Sequence, residues 1–337
     1  VVEFYNRYFL RVPRDAAGKH PREKSAMANW KHAVKSRLPG VLRGVLEAGQ
    51  RVGVNITPNH FYSEIPDFRH LRSTDYWRTP MTMYVIQGAE TSAHVTAARE
   101  CVEPYRETLV ARNIHAEATE LNGEPGFGRV ECDFFYCYLR ARQPRKVIQV
   151  GCGVSTAVAV LAAADEPDYQ PEIICVEPYP TEVLKRLDRE GKITLLPEMA
   201  QSVSLETLAD LESGDLLFVD STHTLKPGSE VPILIGEVLP RLKPGTLVHF
   251  HDIAFPYNYN PYLLHDRLFY HRETTMLYAY LVNNPTISID ISLSMMQFAE
   301  LESMREMLPN FSPGEHDRGV MTSPGHFPES TYLRCTS

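Results

Sequence analysis

Val147-Ile148-Gln149-Val150-Gly151-Cys152-Gly153-Val154-Ser155-Thr156 is an apolar run that breaks at a Gly-x-Gly turn and resumes with helix-compatible residues. Further on, Ile173-Ile174-Cys175-Val176 forms a second apolar run and ends on Glu177. Together they describe a strand, a tight loop, a helix and a second strand tipped by a carboxylate, the arrangement with which a βαβ unit holds a nucleoside cofactor.

The loop also narrows the choice of cofactor. A dinucleotide site wants a third glycine, so that helix and strand pack closely while a pyrophosphate sits on the helix N-terminus. Here Thr156 holds that place and no clear phosphate cradle follows, while Glu177 stands where a ribose diol would reach. The pattern favours S-adenosylmethionine over NAD and leaves a nicotinamide oxidoreductase as a distant alternative. Asp215-Leu216-Leu217-Phe218-Val219-Asp220-Ser221-Thr222-His223 and Thr246-Leu247-Val248-His249-Phe250-His251-Asp252 then read as two more strands ending in polar groups. In an open α/β sheet such strand ends line the ligand crevice.

Working outward, the chain from Pro144 reads as βα alternation, with strands near 147–150, 172–177, 193–196, 215–220 and 246–251. The expected fold class is α/β, a Rossmann-like doubly wound sheet of seven strands. A last strand, Tyr332 to Cys335, is expected to pair antiparallel at the sheet edge. Residues 1–125 stand outside the alternation and read as a mainly helical accessory region, with helices at 26–48 and 92–113 and a lid at Asn59–Asp67. Gly123-Glu124-Pro125-Gly126-Phe127-Gly128 marks the junction to a second domain, 126–337.

The 337 residues, 43% hydrophobic and 23% charged, suffice for one large domain or two modest ones. A net charge of −8 opposes a nucleic-acid partner, because phosphate binding needs clustered Lys and Arg. No apolar stretch approaches the roughly 20 residues that cross a bilayer, so a cytoplasmic protein with no membrane partner is expected. The six cysteines lack Cys-x-x-Cys spacing and are expected to be free thiols.

On these residues the chain resembles the class I S-adenosylmethionine-dependent methyltransferases, over about 200 residues, roughly one domain. Asp220-Ser221-Thr222-His223, the His251-Asp252 pair, the Leu242-Lys243-Pro244-Gly245 turn and the Tyr332-Leu333-Arg334 strand are similar to a bacterial subgroup that includes metal-dependent sugar O-methyltransferases of the macrocin type. The resemblance implies methyl transfer to a small-molecule acceptor at oxygen, with Gln149, Gly151, Gly153, Ser155, Glu177 and Asp220 as cofactor contacts. It departs at Gln149, where the family usually has Glu or Asp; an amide still accepts a hydrogen bond but brings no charge.

An alcohol acceptor needs help to lose its proton, and a divalent metal can lower its pKa. Asp220, His251 and Asp252 are the expected ligands of Mg, Mn or Fe, with the histidine favouring the imidazole-tolerant ions. His223 is the expected general base. His249 reads as a core histidine, and His60, His265 and His271 as structural. Metal-independent N-methylation and a non-catalytic cofactor-binding module stay open, as does assembly into a homo-oligomer.

Overall fold

The computed structural model describes residues 40–59, 62–74, 76–260, 267–313 and 328–336. The chain divides into two compact units, Val1–Phe68 and Arg69–Ser337. In the first, residues 40–51 are helical. Residues 26–39 of the helix expected there, and His60 and Phe61 of the expected lid, lie outside the described residues.

The second unit is built on a seven-stranded sheet. Its strands are β1 (Lys146–Val150), β2 (Glu172–Val176), β3 (Thr194–Leu196), β4 (Leu216–Val219), β5 (Leu247–Phe250), β6 (Ile287–Ser292) and β7 (Thr331–Cys335), in the order β3-β2-β1-β4-β5-β7-β6. The first five are parallel, β7 runs antiparallel to β5, and β6 runs antiparallel to β7 with a bulge between Ile289 and Ile291. The expected α/β sheet is therefore present, with one correction. The final strand is not at the edge but inserts between β5 and β6, where its backbone pairs on both sides.

Burial on both faces explains the unbroken apolar runs of β1 and β4, since covering helices leave neither face to water. Val147, Cys175, Leu216 and Phe218 pack into one layer, while Ile148, Val150, Leu217 and Val219 pack into the other. Helices of the first layer include α1 (Thr91–Val102), α2 (Ile114–Asn122), α3 (Arg129–Arg142) and α4 (Val154–Ala164). Asn113 caps α2 by accepting from the Ala116 N–H at 3.0 Å, and Gly123, at φ 83°, ends it in the left-handed conformation. The other layer holds the helical run 231–241 and α5 (Glu273–Leu281).

Helix α3 has no polar face for most of its length: Val130 to Leu139 are all buried. It lies beneath the sheet with Phe135 against Phe218 and His249, at ring-centroid distances of 4.9 and 5.8 Å. This placement brings its first turn to the end of β5, which matters for the site.

Candidate active site

The crevice opens where the strand order reverses, between β1 and β4, as expected for an open α/β sheet. Beyond β1, Gly151 turns at φ 83°, and a Cβ there would lie 1.6 Å from the Asp220 carbonyl oxygen. Only glycine lets this loop rest against the end of β4. Gly153 is different: the nearest atom to an added Cβ is Asn122 Nδ2 at 3.9 Å, which leaves room beside its backbone.

Thr156, in the place of a third glycine, accepts from Gly153 N–H at 3.3 Å and donates to Gln149 Oε1 at 2.7 Å. It ties the first turn of α4 to β1. Gln149 and Ser155 are both buried; the Gln149 side chain is engaged beneath the loop, and its Nε2 has no partner. Glu177 is half-buried at the end of β2. Its Oε2 accepts from Cys152 N–H at 3.3 Å and its Oε1 from Tyr179 N–H at 2.9 Å. The carboxylate thus stands at the rim of the loop, held in place by two backbone donors.

At the ends of β4 and β5, Asp220, His223 and His251 bring one donor atom each within 4.8 Å of one another. His223 Nε2 and His251 Nδ1 both lie 3.3 Å from Asp220 Oδ1. Asp252 completes the group, with Oδ2 3.3 Å from His223 Nε2 and Oδ1 3.4 Å from His251 Nδ1. His223 and Asp252 sit at φ 56° and 55°, a left-handed conformation that is uncommon away from glycine and concentrates at functional sites. All four expected site residues therefore meet at one place, but His223 stands among the expected metal ligands rather than apart from them.

Three groups of the cluster were not legible in the sequence. Glu131, from α3, lies 3.1 Å from His251 Nε2. Glu273, in the first turn of α5 and fully buried, lies 2.8 Å from His223 Nδ1. His271 stacks on Phe269, and its Nδ1 is 3.8 Å from Asp252 Oδ2. It belongs to the wall of the site, although the sequence marks it only as a sparse structural histidine. His60 and His265 lie outside the described residues.

The charges follow from this geometry. Burial by itself would lower His223, yet Asp252, Asp220 and Glu273 raise it well above its ordinary value. Burial works the same way on His251, and Glu131, Asp220 and Asp252 outweigh it. For Asp220 burial acts upward, but the His251 and His223 imidazoles hold it below the usual carboxylate range. Burial and then the charge on His223 bring His271 down to about 4. Burial, followed by the charge of Asp252, pushes Glu329 well up, and it accepts a hydrogen bond from Asn260. His249 is a core residue, fully buried and stacked at 4.3 Å on Phe218, with neither ring nitrogen hydrogen-bonded.

Residues 148–253 match a family described as a methyltransferase domain, Methyltransf_24. No curated protein matches the chain. Among solved structures, the chain is similar to the O-methyltransferase TomG from Streptomyces achromogenes, in complex with SAM, at 16% identity over 68% of this chain and 90% of that one, with a TM-score of 0.41. A putative O-methyltransferase from Klebsiella pneumoniae gives 15% identity, coverage of 70% and 97%, and a TM-score of 0.42. An O-methyltransferase from Bacillus cereus, in complex with SAH, gives 12%, 70% and 90%, and 0.40. At such distances the roles of individual residues have to be read from this chain itself. Residues 148–253 thus carry a methyltransferase domain, and the glycine loop, Glu177 and the polar ends of β4 and β5 all lie within it.

Proposed function

We propose that the enzyme methylates a hydroxyl oxygen of a small-molecule acceptor and that Asp220, His223, His251 and Asp252 hold a divalent cation. The observation that carries this reading is the convergence of the Asp220, His223 and His251 donor atoms within 4.8 Å. The donor set fits a cation. Carboxylates surround the two imidazoles and raise both of them, and a positive ion among them offsets the same excess of negative charge. Two imidazoles favour Mn²⁺ or Fe²⁺ over Mg²⁺, which prefers oxygen donors. Such a cation lowers the pKa of a coordinated hydroxyl and fixes its oxygen.

The chain's own groups do the rest. Glu177 receives the ribose hydroxyls of the cofactor, and the free space beside Gly153 admits its backbone-facing edge. A recess of about 10 Å³, room for a single water, adjoins the cluster between Asp252, Asn258, Asn260, Phe269, His271 and Glu329 and marks the side from which the acceptor oxygen is presented. S-adenosylmethionine, when bound, would supply the methyl group to the acceptor oxygen, its sulfur leaving as the neutral thioether of S-adenosylhomocysteine. The hydroxyl proton goes to His271 Nδ1, which has no hydrogen-bond partner and lies 3.8 Å from Asp252 Oδ2, a carboxylate that stabilises the imidazolium formed. This reassigns the base from His223, whose two nitrogens face Glu273 on one side and Asp220 and Asp252 on the other.

The test is calorimetric titration of metal-stripped protein with S-adenosylhomocysteine, repeated with Mg²⁺, Mn²⁺ and Fe²⁺, alongside two variants. His271→Gln should keep metal and cofactor affinity and lose turnover, by the roughly 10²–10⁴-fold that acid–base catalysis contributes. His223→Ala should lose the metal. If His223→Ala instead binds metal normally and only turnover falls, His223 is the base. Methylation that continues at full rate in excess chelator would favour the metal-independent alternative.

A further inference from the structure

We infer that Glu131 and Glu273 are positioning residues of the metal centre, each locking one imidazole so that His251 ligates through Nδ1 and His223 through Nε2. The inference rests on the metal reading above and adds the choice of nitrogen and the residues that enforce it. The two histidines reach the same atom from different strand ends, His223 with Nε2 and His251 with Nδ1, both 3.3 Å from Asp220 Oδ1. In each ring the opposite nitrogen meets a buried carboxylate, Glu273 at 2.8 Å and Glu131 at 3.1 Å. A metal-bound histidine donates its other N–H to such a partner, which fixes tautomer and ring orientation.

Both carboxylates are themselves held. Glu131 Oε1 accepts from the Glu329 N–H at 3.0 Å and from the Ser330 hydroxyl at 2.7 Å, which leaves Oε2 to His251. An added Cβ on Gly128 would come within 2.6 Å of that Oε2, so the glycine before α3 leaves it space. Glu273 is anchored differently: the His223 carbonyl accepts from the N–H groups of Arg272 and Glu273 at 2.9 and 3.3 Å. The turn that supplies the carboxylate therefore also grips the backbone of the residue it orients. Each glutamate faces the ring nitrogen opposite the one that faces Asp220, which places it behind the imidazole rather than among the ligands.

Two variants remove the acceptors with little change of volume. In Glu131→Gln one of two accepting oxygens becomes a donor facing donors; in Glu273→Leu the acceptor for His223 is gone. Each should weaken Mn²⁺ or Zn²⁺ binding, measured by titration of the full chain, by about 10–100-fold, with S-adenosylhomocysteine affinity unchanged from wild type. Wild-type metal affinity in both folded variants would overturn the inference and leave the metal reading standing. A wild-type chain that binds neither ion would overturn the metal reading itself, and this inference with it. Should a variant fail to fold, nitrogen-15 NMR of the Zn²⁺-loaded wild-type chain decides: a proton on His251 Nε2 and on His223 Nδ1 supports the assignment, and either tautomer reversed overturns it.

Discussion

At the scale of single residues, Gly151 and Glu177 separate two functions that the sequence motif merges. Gly151 combines a positive φ with a carbonyl contact that no side chain tolerates. Gly151→Ala should therefore push β1's loop off the end of β4 and move Asp220 with it. A loss on the order of 3 kcal/mol is expected, since backbone strain and displaced packing add, and urea unfolding measures it. Metal and cofactor binding should fail together in this variant. Glu177→Gln is the opposite case, because it keeps the shape of a partly exposed group. Hydrogen bonds to a charged partner contribute about 1.5–3 kcal/mol, so S-adenosylhomocysteine should bind roughly 10–100-fold more weakly, at a stability cost of about 1 kcal/mol because the amide can accept from only one of the Cys152 and Tyr179 N–H groups. An unchanged affinity in calorimetry would remove Glu177 from the cofactor site.

Helix α3 shows what an element contributes beyond its packing. It carries Glu131 to the end of β5 and also buries Asp133, whose Oδ2 accepts from Asn310 Nδ2 at 2.8 Å while Oδ1 has no partner. Burial raises Asp133 from 3.8 to about 6, against the smaller opposing effects of Asn310 and Arg129. A carboxyl raised on folding is held protonated more tightly in the folded chain than in the unfolded one. Its contribution is therefore fully present below the unfolded value of 3.8 and is lost as the pH rises through about 6. Asp133→Asn should make the chain more stable than wild type at pH 7, by roughly 2–3 kcal/mol at most, and the difference should vanish near pH 4. Thermal unfolding across that range checks it; a gap independent of pH would mean that Asp133 is charged and satisfied.

For the whole molecule, the site joins pieces far apart in the chain: α3 through Glu131, the ends of β4 and β5 through Asp220, His223, His251 and Asp252, and α5 through Glu273. A cation bound there would staple them, and a ligand that binds only the folded state adds stability by mass action. At a hundred times its dissociation constant that is about 2.7 kcal/mol, which in a unit of this size shifts Tm by roughly 5–10 °C. Chelation should reverse the shift. A Tm indifferent to metal would count against the proposed ligands. Among the described residues no helix is long and apolar enough to cross a membrane, and all six cysteines are free.

The sequence by itself determined the parallel half of the sheet, because strands buried on both faces must read as unbroken apolar runs and their C-terminal ends must turn polar where the crevice begins. For the same reason it marked Glu177, Asp220 and His251, each a polar residue directly following such a run, with Asp252 one residue and His223 three residues further on. Only tertiary structure decided the rest. The last strand was placed inside the sheet by backbone pairing on both its sides, which no side-chain pattern encodes. Helix α3 is buried nearly all round although it carries Glu131 and Asp133, so nothing in its sequence pattern sets Glu131 apart from a surface acid. Glu273 and His271 lie beyond a long loop, and their distances to His223 and Asp252 exist only once α5 has docked on the sheet. Which nitrogen of each ring faces which oxygen is set by packing across the fold, and the proposed ligand, base and positioning roles rest on that.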